Sequence, residues 1–210
     1  MFYGQFNEDK IIASLFPENY IGICIDVGAS DGISGSNTYY FEKKGWRALC
    51  IEPNLDLFNN CKSIRNECIN CCISDNDYGN VIFNIFHLGT NTSAISSLKP
   101  DDRLIESHKH LITNTSTCIS MARSLNSLLG QLNFPKNIDF ITIDTENTEL
   151  DVLQGLDFSI YNIKVLVIEN NFNEPFCEDY LKQFGYTKIH RQVVNDFYVH
   201  KDFNYNQLNI

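Results

Sequence analysis

Apolar positions along the chain fall in short dense runs rather than long stripes. Ile21-Gly-Ile-Cys-Ile-Asp26, Ala48-Leu-Cys-Ile-Glu52, Ile138 to Asp144 and Val165-Leu-Val-Ile-Glu169 are apolar, partly β-branched and closed by an acid. Such runs predict buried parallel strands, and the helical patterns between them predict α/β layering. A first helix runs through Phe16 with Asn7 as its cap and Glu8 and Asp9 near its positive end. The first strand leads through Gly28 and Gly32 into a helix from Asn37 to Lys44, stopped by Gly45. Pro53 opens a helix through Arg65, and Cys68 to Ser74 reads as a third strand. Asn80 to Phe86 is another extended run after turn residues 75–79.

From His87 to Thr117 no period survives, which predicts a long lid or loop on the acceptor side of a pocket. His87, His108 and His110 could line it, or could be solvated loop residues. Ser124 predicts a cap for a helix through Leu132, and Glu149 to Gln154 a helix that stops at Gly155. Phe176 to Phe184 reads helical. Thr187 to Gln192 and Phe197 to His200 then read as a hairpin turning at Asn195-Asp196.

The stretch Asp26-Val-Gly28-Ala-Ser-Asp31-Gly32 is the organising feature. A glycine turn after a buried strand allows backbone N–H groups to approach a ligand at the carboxyl edge of the sheet. Glu52, roughly twenty residues further on, stands where a carboxylate can accept both ribose hydroxyls of a nucleoside. The glycine spacing departs from the dinucleotide fingerprint, and no GxxxxGK[ST] phosphate loop is present, so the pocket suits a nucleoside without phosphates. S-adenosylmethionine is such a molecule.

Tyr3-Gly4-Gln5 with Asp9, Ile25 to Gly32, Ser36-Asn37-Thr38, Gly45-Trp46, Ile51-Glu52-Pro53-Asn54, Ile143-Asp144-Thr145-Glu146 and Leu153-x-Gly155-x-Asp157-Phe158 follow one another in an order that resembles FkbM-type methyltransferases. The resemblance runs from Tyr3 to about Tyr198, with one departure: the family usually has glycine where Asn147 stands. It implies a class I methyltransferase Rossmann-like fold, a mostly parallel seven-stranded sheet with a C-terminal antiparallel hairpin and helices on both faces, in a single domain. It also implies that S-adenosylmethionine is the cofactor. Glu52 would bind the ribose, the loop around Gly28, Ala29, Asp31 and Gly32 the methionine portion, and Asp26 would orient that loop. Gln5, Asn37, Thr38, Pro53 and Asp144 would complete the cofactor set, with Cys72, Ile73 and Ser74 near the adenine.

The formal net charge of -10 disfavours nucleic acid or an anionic membrane surface as partner, leaving a small molecule or glycan. No apolar run approaches the roughly 20 residues needed to span a bilayer, and no basic, apolar leader opens the chain. A cytoplasmic compartment is the expectation. The eight cysteines then read as reduced. Cys61, Cys68, Cys71 and Cys72 form a loose group, but strand alternation would send Cys71 and Cys72 to opposite faces and argues against zinc.

Asp26, Glu52 and Asp144, ending the first, second and fourth strands of the parallel set, should converge on one edge. A hydroxyl acceptor must lose a proton, so Asp144 and Glu146 are the candidate bases, each raising the other's pKa. An alternative set, Asp144 with Glu169 and Asn170, offers hard oxygens for Mg²⁺, similar to catechol-type O-methyltransferases. The resembling family does not generally require a metal, and transfer without one is the expectation. The resemblance favours O-methylation of a sugar hydroxyl. An amine or carboxylate acceptor, and a binding module without turnover, are the alternatives.

Overall fold

The computed structural model describes residues 1–89 and 95–205. Its main sheet contains β1 (Ile23–Val27), β2 (Arg47–Ile51), β3 (Glu67–Ile69), β7 (Asn137–Ile143), β8 (Asn162–Glu169), β9 (Tyr186–Gln192) and β10 (Asn195–His200). The order is β3-β2-β1-β7-β8-β10-β9. Strands β3, β2, β1, β7 and β8 pair in parallel, and β10 runs antiparallel to both β8 and β9. The α/β class, the seven strands and the closing hairpin agree with the sequence expectation.

Successive side chains of one strand enter opposite cores. Ile25, Val27, Ile141, Ile143, Leu166 and Ile168 pack on one face, with Leu125, Leu128 and Leu129 of α5 (Leu125–Gln131) and Val152 and Leu153 of α6 (Glu149–Gln154). Cys24, Phe140, Val165 and Val167 pack on the other, against Ile12 and Leu15 of α1 (Glu8–Leu15) and Phe41 of α2 (Tyr39–Lys43). Burial on both faces explains why these strands are apolar throughout instead of alternating.

Several boundaries differ from the expectation. Cys68 to Ser74 is not one strand. After β3, the Asn70 side chain donates to the carbonyls of Glu52 (2.8 Å) and Pro53 (3.0 Å), and the chain leaves the main sheet. It then forms β4 (Cys72–Ser74) in a separate sheet of order β4-β6-β5, with β5 (Gly79–Leu88) and β6 (Ile112–Ser124). The supposed loop 87–117 therefore holds the end of β5, the helix α4 (Asp102–His108) and the first half of β6, whose long antiparallel register runs from Gly79↔Ala122 to Leu88↔Ile112. Much of β6 faces solvent and carries Thr, Asn and Ser. Its strand character comes from pairing with β5, which local pattern does not display.

Asn7 is left-handed at φ 67 and makes no side-chain cap. Glu8 and Asp9 are instead buried and accept the backbone N–H groups of Phe6 (2.8 Å) and Tyr3 (2.6 Å), folding the opening segment back on itself. The last hairpin turns at 193–194, not at Asn195-Asp196, because both of those residues pair within β10. Ser124 does cap α5, accepting from Ser127 N at 3.1 Å. Among the described residues, no helix is long and apolar enough to cross a membrane.

One buried cation ties the first crossover together. Arg65, at the end of α3 (Leu55–Ile64), pairs with Glu42 of α2. It also donates to Gly32 O (2.8 Å), Ser36 Oγ (3.2 Å) and Thr38 Oγ1 (2.8 Å). Replacing Arg65 by Leu strands the Glu42 carboxylate and three acceptors away from water. We expect a loss of roughly 3–5 kcal/mol in urea unfolding, whereas Arg47→Leu at the exposed Arg47–Glu67 pair should cost under about 1 kcal/mol.

Candidate active site

The carboxyl ends of β1, β2, β7 and β8 open on a cavity of about 470 Å³. It lies where β1 is flanked by β2 on one side and β7 on the other, the point at which chain order reverses and open sheets leave a crevice. Gly28 forms part of the wall with φ 90, and a Cβ there would stand 1.8 Å from the Asp144 carbonyl oxygen. No other residue allows this crossing of the two strand exits. Gly28 N and Ala29 N donate to Ile51 O (2.9 and 3.0 Å), and Asp144 N donates to Val27 O (2.9 Å). Ser30 N donates to Glu52 Oε2 (2.8 Å). These N–H groups thus lock the strand exits to one another, contrary to the expectation that they face a ligand.

Asp26 is buried and accepts from Thr38 Oγ1 (2.6 Å) and Ser36 Oγ (3.1 Å). Burial raises its pKa, while nearby Arg65 opposes that shift. Glu52 accepts one backbone donor on each oxygen, from Asn54 N and Ser30 N at 2.8 Å each, and retains further lone pairs. Burial pushes its pKa up to about 7.

Of the expected cofactor contacts, Gln5, Asp26, Gly28, Ala29, Asn37, Glu52, Pro53, Cys72, Ile73 and Asp144 line the cavity. Asp31, Gly32, Thr38 and Ser74 stand outside its wall. Asp31 Oδ1 accepts Ile33 N (2.8 Å) and Ser34 N (2.7 Å) and so shapes the loop. Gly32 packs on Arg65 and Cys61. The Thr38 hydroxyl is turned to Asp26, and Ser74 is fully buried with its carbonyl against Gly155. Asn37 Oδ1 is a buried acceptor with no partner, on a residue that lines the cavity.

At the far side, Asp144, Glu146 and Glu169 each bring a carboxylate oxygen within 4.8 Å of the others. Asp144 opens into the cavity, yet protein surrounds it. Desolvation, and then the charge of Glu149, raises its pKa to about 7. Glu146 and Glu169 are held well above the usual carboxylate range, by burial first and by the Asp144 charge next. Glu169 Oε2 has no hydrogen-bond partner. No Lys or Arg lines the cavity among the described residues, so the site is rich in acceptors and suited to a cationic guest.

Asn170 does not join these acids. Its side-chain amide donates to Glu174 O and Asp196 Oδ2 (2.8 Å each), and its Oδ1 accepts Glu174 N (2.8 Å). The alternative Asp144, Glu169, Asn170 ligand set is therefore not assembled, and Asn171 reaches the cavity wall instead.

The turn that presents Glu146 is left-handed at two residues, Glu146 (φ 56) and Asn147 (φ 89). Glycine suits the second position, and asparagine tolerates it better than most residues. Asn147 Nδ2 also donates to Lys99 O (3.3 Å). Beneath the turn, buried Glu149 accepts Thr145 N (2.9 Å), Thr145 Oγ1 (3.0 Å) and Asn147 N (3.2 Å). Sequence reasoning missed Glu149 as a brace, although an acid four residues after Thr145 at a helix start was a visible signal.

Polar Ser96 lies in the wall, as expected of the 87–117 segment, whereas sequence reasoning missed the apolar Ile95, Leu98 and Leu104. Ser97 fixes this segment by a mutual backbone pair with Asn84 (3.0 and 3.1 Å) and through its Oγ to Thr145 O (3.2 Å). Of the three histidines, His108 alone lines the cavity; His87 binds Ser116 Oγ at 2.8 Å on the exposed sheet. Residues 90–94 of the expected lid lie outside the described residues.

A cavity at the switch point, walled by a glycine turn and by strand-end acids, is what the motif order anticipated. The family model described as Methyltransferase FkbM domain matches residues 26–188. The chain belongs to the FkbM-domain methyltransferases. Its fold is similar to the crystal structure of methyltransferase FkbM from Methylobacillus flagellatus KT, at TM-score 0.53 and 14% identity, over 86% of this chain and 44% of that one. This chain thus spans less than half the length of that protein. M. capricolum TrmK in complex with S-adenosyl-homocysteine gives TM-score 0.47 and 12% identity over 96% of this chain and 70% of that one. No curated protein matches the sequence.

Two measurements probe this FkbM-domain site. Asn147→Gly should leave chemical stability within about 1 kcal/mol, while Asn147→Val should cost more than about 1 kcal/mol through left-handed strain. Because burial raises the Glu52 and Asp144 pKa values, the folded state binds protons more tightly than the unfolded chain. The free protein should therefore be most stable below about pH 4 as far as these groups are concerned, and lose that contribution as pH rises from there through about 7. Glu52→Gln should reduce the difference in unfolding free energy between pH 5 and pH 8 by on the order of 2 kcal/mol.

Proposed function

We propose that this chain is an S-adenosylmethionine-dependent methyltransferase acting on a hydroxyl group of a sugar in a glycan or sugar-nucleotide. The observation carrying this reading is one cavity with a buried ribose-type acceptor, Glu52, at one side and the Asp144, Glu146, Glu169 cluster at the other, with no lysine or arginine in the wall among the described residues.

The residues fit that cofactor. Glu52 has lone pairs to accept two hydroxyls, and the partnerless Asn37 Oδ1 would accept from an ammonium. Ile73, Phe83 and Leu57 give the wall apolar area for a base. When bound, S-adenosylmethionine supplies a methyl group on a positively charged sulfur. Asp144 then takes the acceptor's proton, its pKa placed near neutrality by burial and by Glu149. Glu146 and Glu169, whose pKa values burial and the Asp144 charge raise, orient the hydroxyl by hydrogen bonds. The walls hold the two reactants in contact, the main requirement of an in-line displacement.

A second cavity of about 390 Å³ adjoins the acids, sharing Leu104, Glu169 and Asn171 with the first. Exposed Phe172 and Phe176 and the amides of Asn147 and Asn171 line it. Arg103 stacks on the Phe172 ring at 3.8 Å, and Lys99, Asp101, Asp151 and Glu174 also line the cavity, so the exposed Phe176 ring beside amides and charged groups suits the C–H face and hydroxyls of a sugar. The net charge of -10 argues against nucleic acid as acceptor, and a reducing, cytoplasm-like compartment accords with eight unbridged cysteines.

Calorimetry with S-adenosylmethionine and S-adenosyl-homocysteine tests the pocket. Glu52→Ala should weaken both by roughly 10- to 100-fold, and equal affinity would overturn the assignment. With candidate sugars, release of S-adenosyl-homocysteine should rise with pH to a plateau above an apparent pKa near 7 and vanish in Asp144→Asn. Chelation by EDTA should leave turnover intact; loss restored by Mg²⁺ would overturn the choice of a side-chain base. Binding without turnover on any sugar would favour a non-catalytic module.

A further inference from the structure

Cys50 on β2, Cys61 on α3 and Cys68 on β3 bring their sulfur atoms within 4.8 Å of one another. Cys50 and Cys68 are direct partners across the parallel β2–β3 pair, and Cys61 Sγ lies 3.3 Å from Cys68 Sγ. All three are free thiols. Sequence alone grouped Cys61 and Cys68 with Cys71 and Cys72, but Cys71 faces the main core and Cys72 the small sheet. The partner supplied instead is Cys50, a strand residue that spacing does not associate with the others.

Isolated core cysteines pack as small hydrophobes, as Cys24 does among Phe41, Trp46 and Phe140. This trio packs differently: its buried cluster contains only the three cysteines and Ala29. Three thiols from three separate elements that face one another form a ligand set rather than apolar filling. A Zn–S bond of about 2.3 Å places tetrahedral sulfurs roughly 3.8 Å apart, between the 3.3 Å closest approach and the 4.8 Å limit of this group. Cys50 and Cys61 are buried and Cys68 is half-buried, so solvent reaches the cluster from one side only. The buried Arg65 lies at the end of the same helix as Cys61, and Arg65 Cγ and Cys61 Sγ both stand 2.9 Å from the Cβ position of Gly32. A fixed positive charge there offsets a three-thiolate centre.

We propose that Cys50, Cys61 and Cys68 form a structural binding site for one thiophilic closed-shell cation, Zn²⁺ foremost, with water as fourth ligand on the Cys68 side. Binding replaces three S–H bonds by three metal–sulfur bonds and releases three protons. The ion would clamp α3 to β2 and β3 at the sheet edge. Through Ala29 and Gly32 it would support the glycine turn from behind, outside the cavity.

The test uses the full chain, reduced and stripped of metal, titrated anaerobically with Co²⁺. Saturation at one equivalent is expected, with thiolate-to-cobalt charge-transfer absorption and the visible bands of tetrahedral Co²⁺, displaced by Zn²⁺. Cys68→Ser and Cys61→Ala should each weaken uptake at least tenfold, while Cys118→Ser on β6 should leave it unchanged. The two ligand variants, checked for folding by circular dichroism, guard against loss of one through misfolding. Absence of thiolate charge transfer in the folded parent, or bands that survive both ligand variants, would overturn the proposal. A Cys61–Cys68 disulfide formed under mild peroxide in a parent that takes up no Co²⁺ would also overturn it, marking a redox pair instead.

Discussion

The buried guanidinium of Arg65 is the interaction on which the cofactor side of the molecule depends. It closes a circuit with Glu42, Gly32 O, Ser36 and Thr38, and both hydroxyls pass their own hydrogen bonds to Asp26. A charge taken from water is stable only when every neighbour answers it. That requirement fixes the relative positions of β1, the glycine turn, α2 and the end of α3 at once. The glycine turn is therefore a supported backbone crossing, and Gly28 is needed because the Asp144 carbonyl occupies the space of a Cβ.

The opposite wall carries a different constraint. Asp144, Glu146, Glu149 and Glu169 crowd one end of the cavity, and each ionisation makes the next harder. Among the described residues, no lysine or arginine of the cavity wall relieves them. Such a site discriminates by charge: it repels anions, and it gains from a cation or from a group that brings a proton to be shared. The same arrangement draws one carboxyl's pKa toward neutrality, so that charge preference and proton affinity at this wall have a common origin in desolvation.

Asn147 shows how a family's usual glycine can be replaced. The residue keeps the left-handed backbone that the turn needs, and its side chain ties the turn to Lys99. Ser97 adds a second tie from the same segment to Thr145. The segment around residues 95–99 thus holds the acid-bearing turn, although its sequence carries no periodic signal.

The chain by itself determined the parallel strands and the places where they end. Ile25-Asp26, Ile51-Glu52 and Ile143-Asp144 mark buried strands closing in acids, and glycines with positive φ mark the turns, because both follow from local backbone and burial requirements. The convergence of Asp26, Glu52 and Asp144 was legible for the same reason, since parallel strands share a carboxyl edge. Tertiary structure alone decided the second sheet. There β4 leaves the run Cys68 to Ser74, and β6 becomes a strand only by lying beside β5. It alone also turned Asn170 away from the acids, pushed Asp31, Gly32, Thr38 and Ser74 behind the wall, and brought Cys50 to Cys61 and Cys68. Those outcomes depend on which distant group satisfies a given hydrogen bond or fills a given contact. No window of sequence contains both partners.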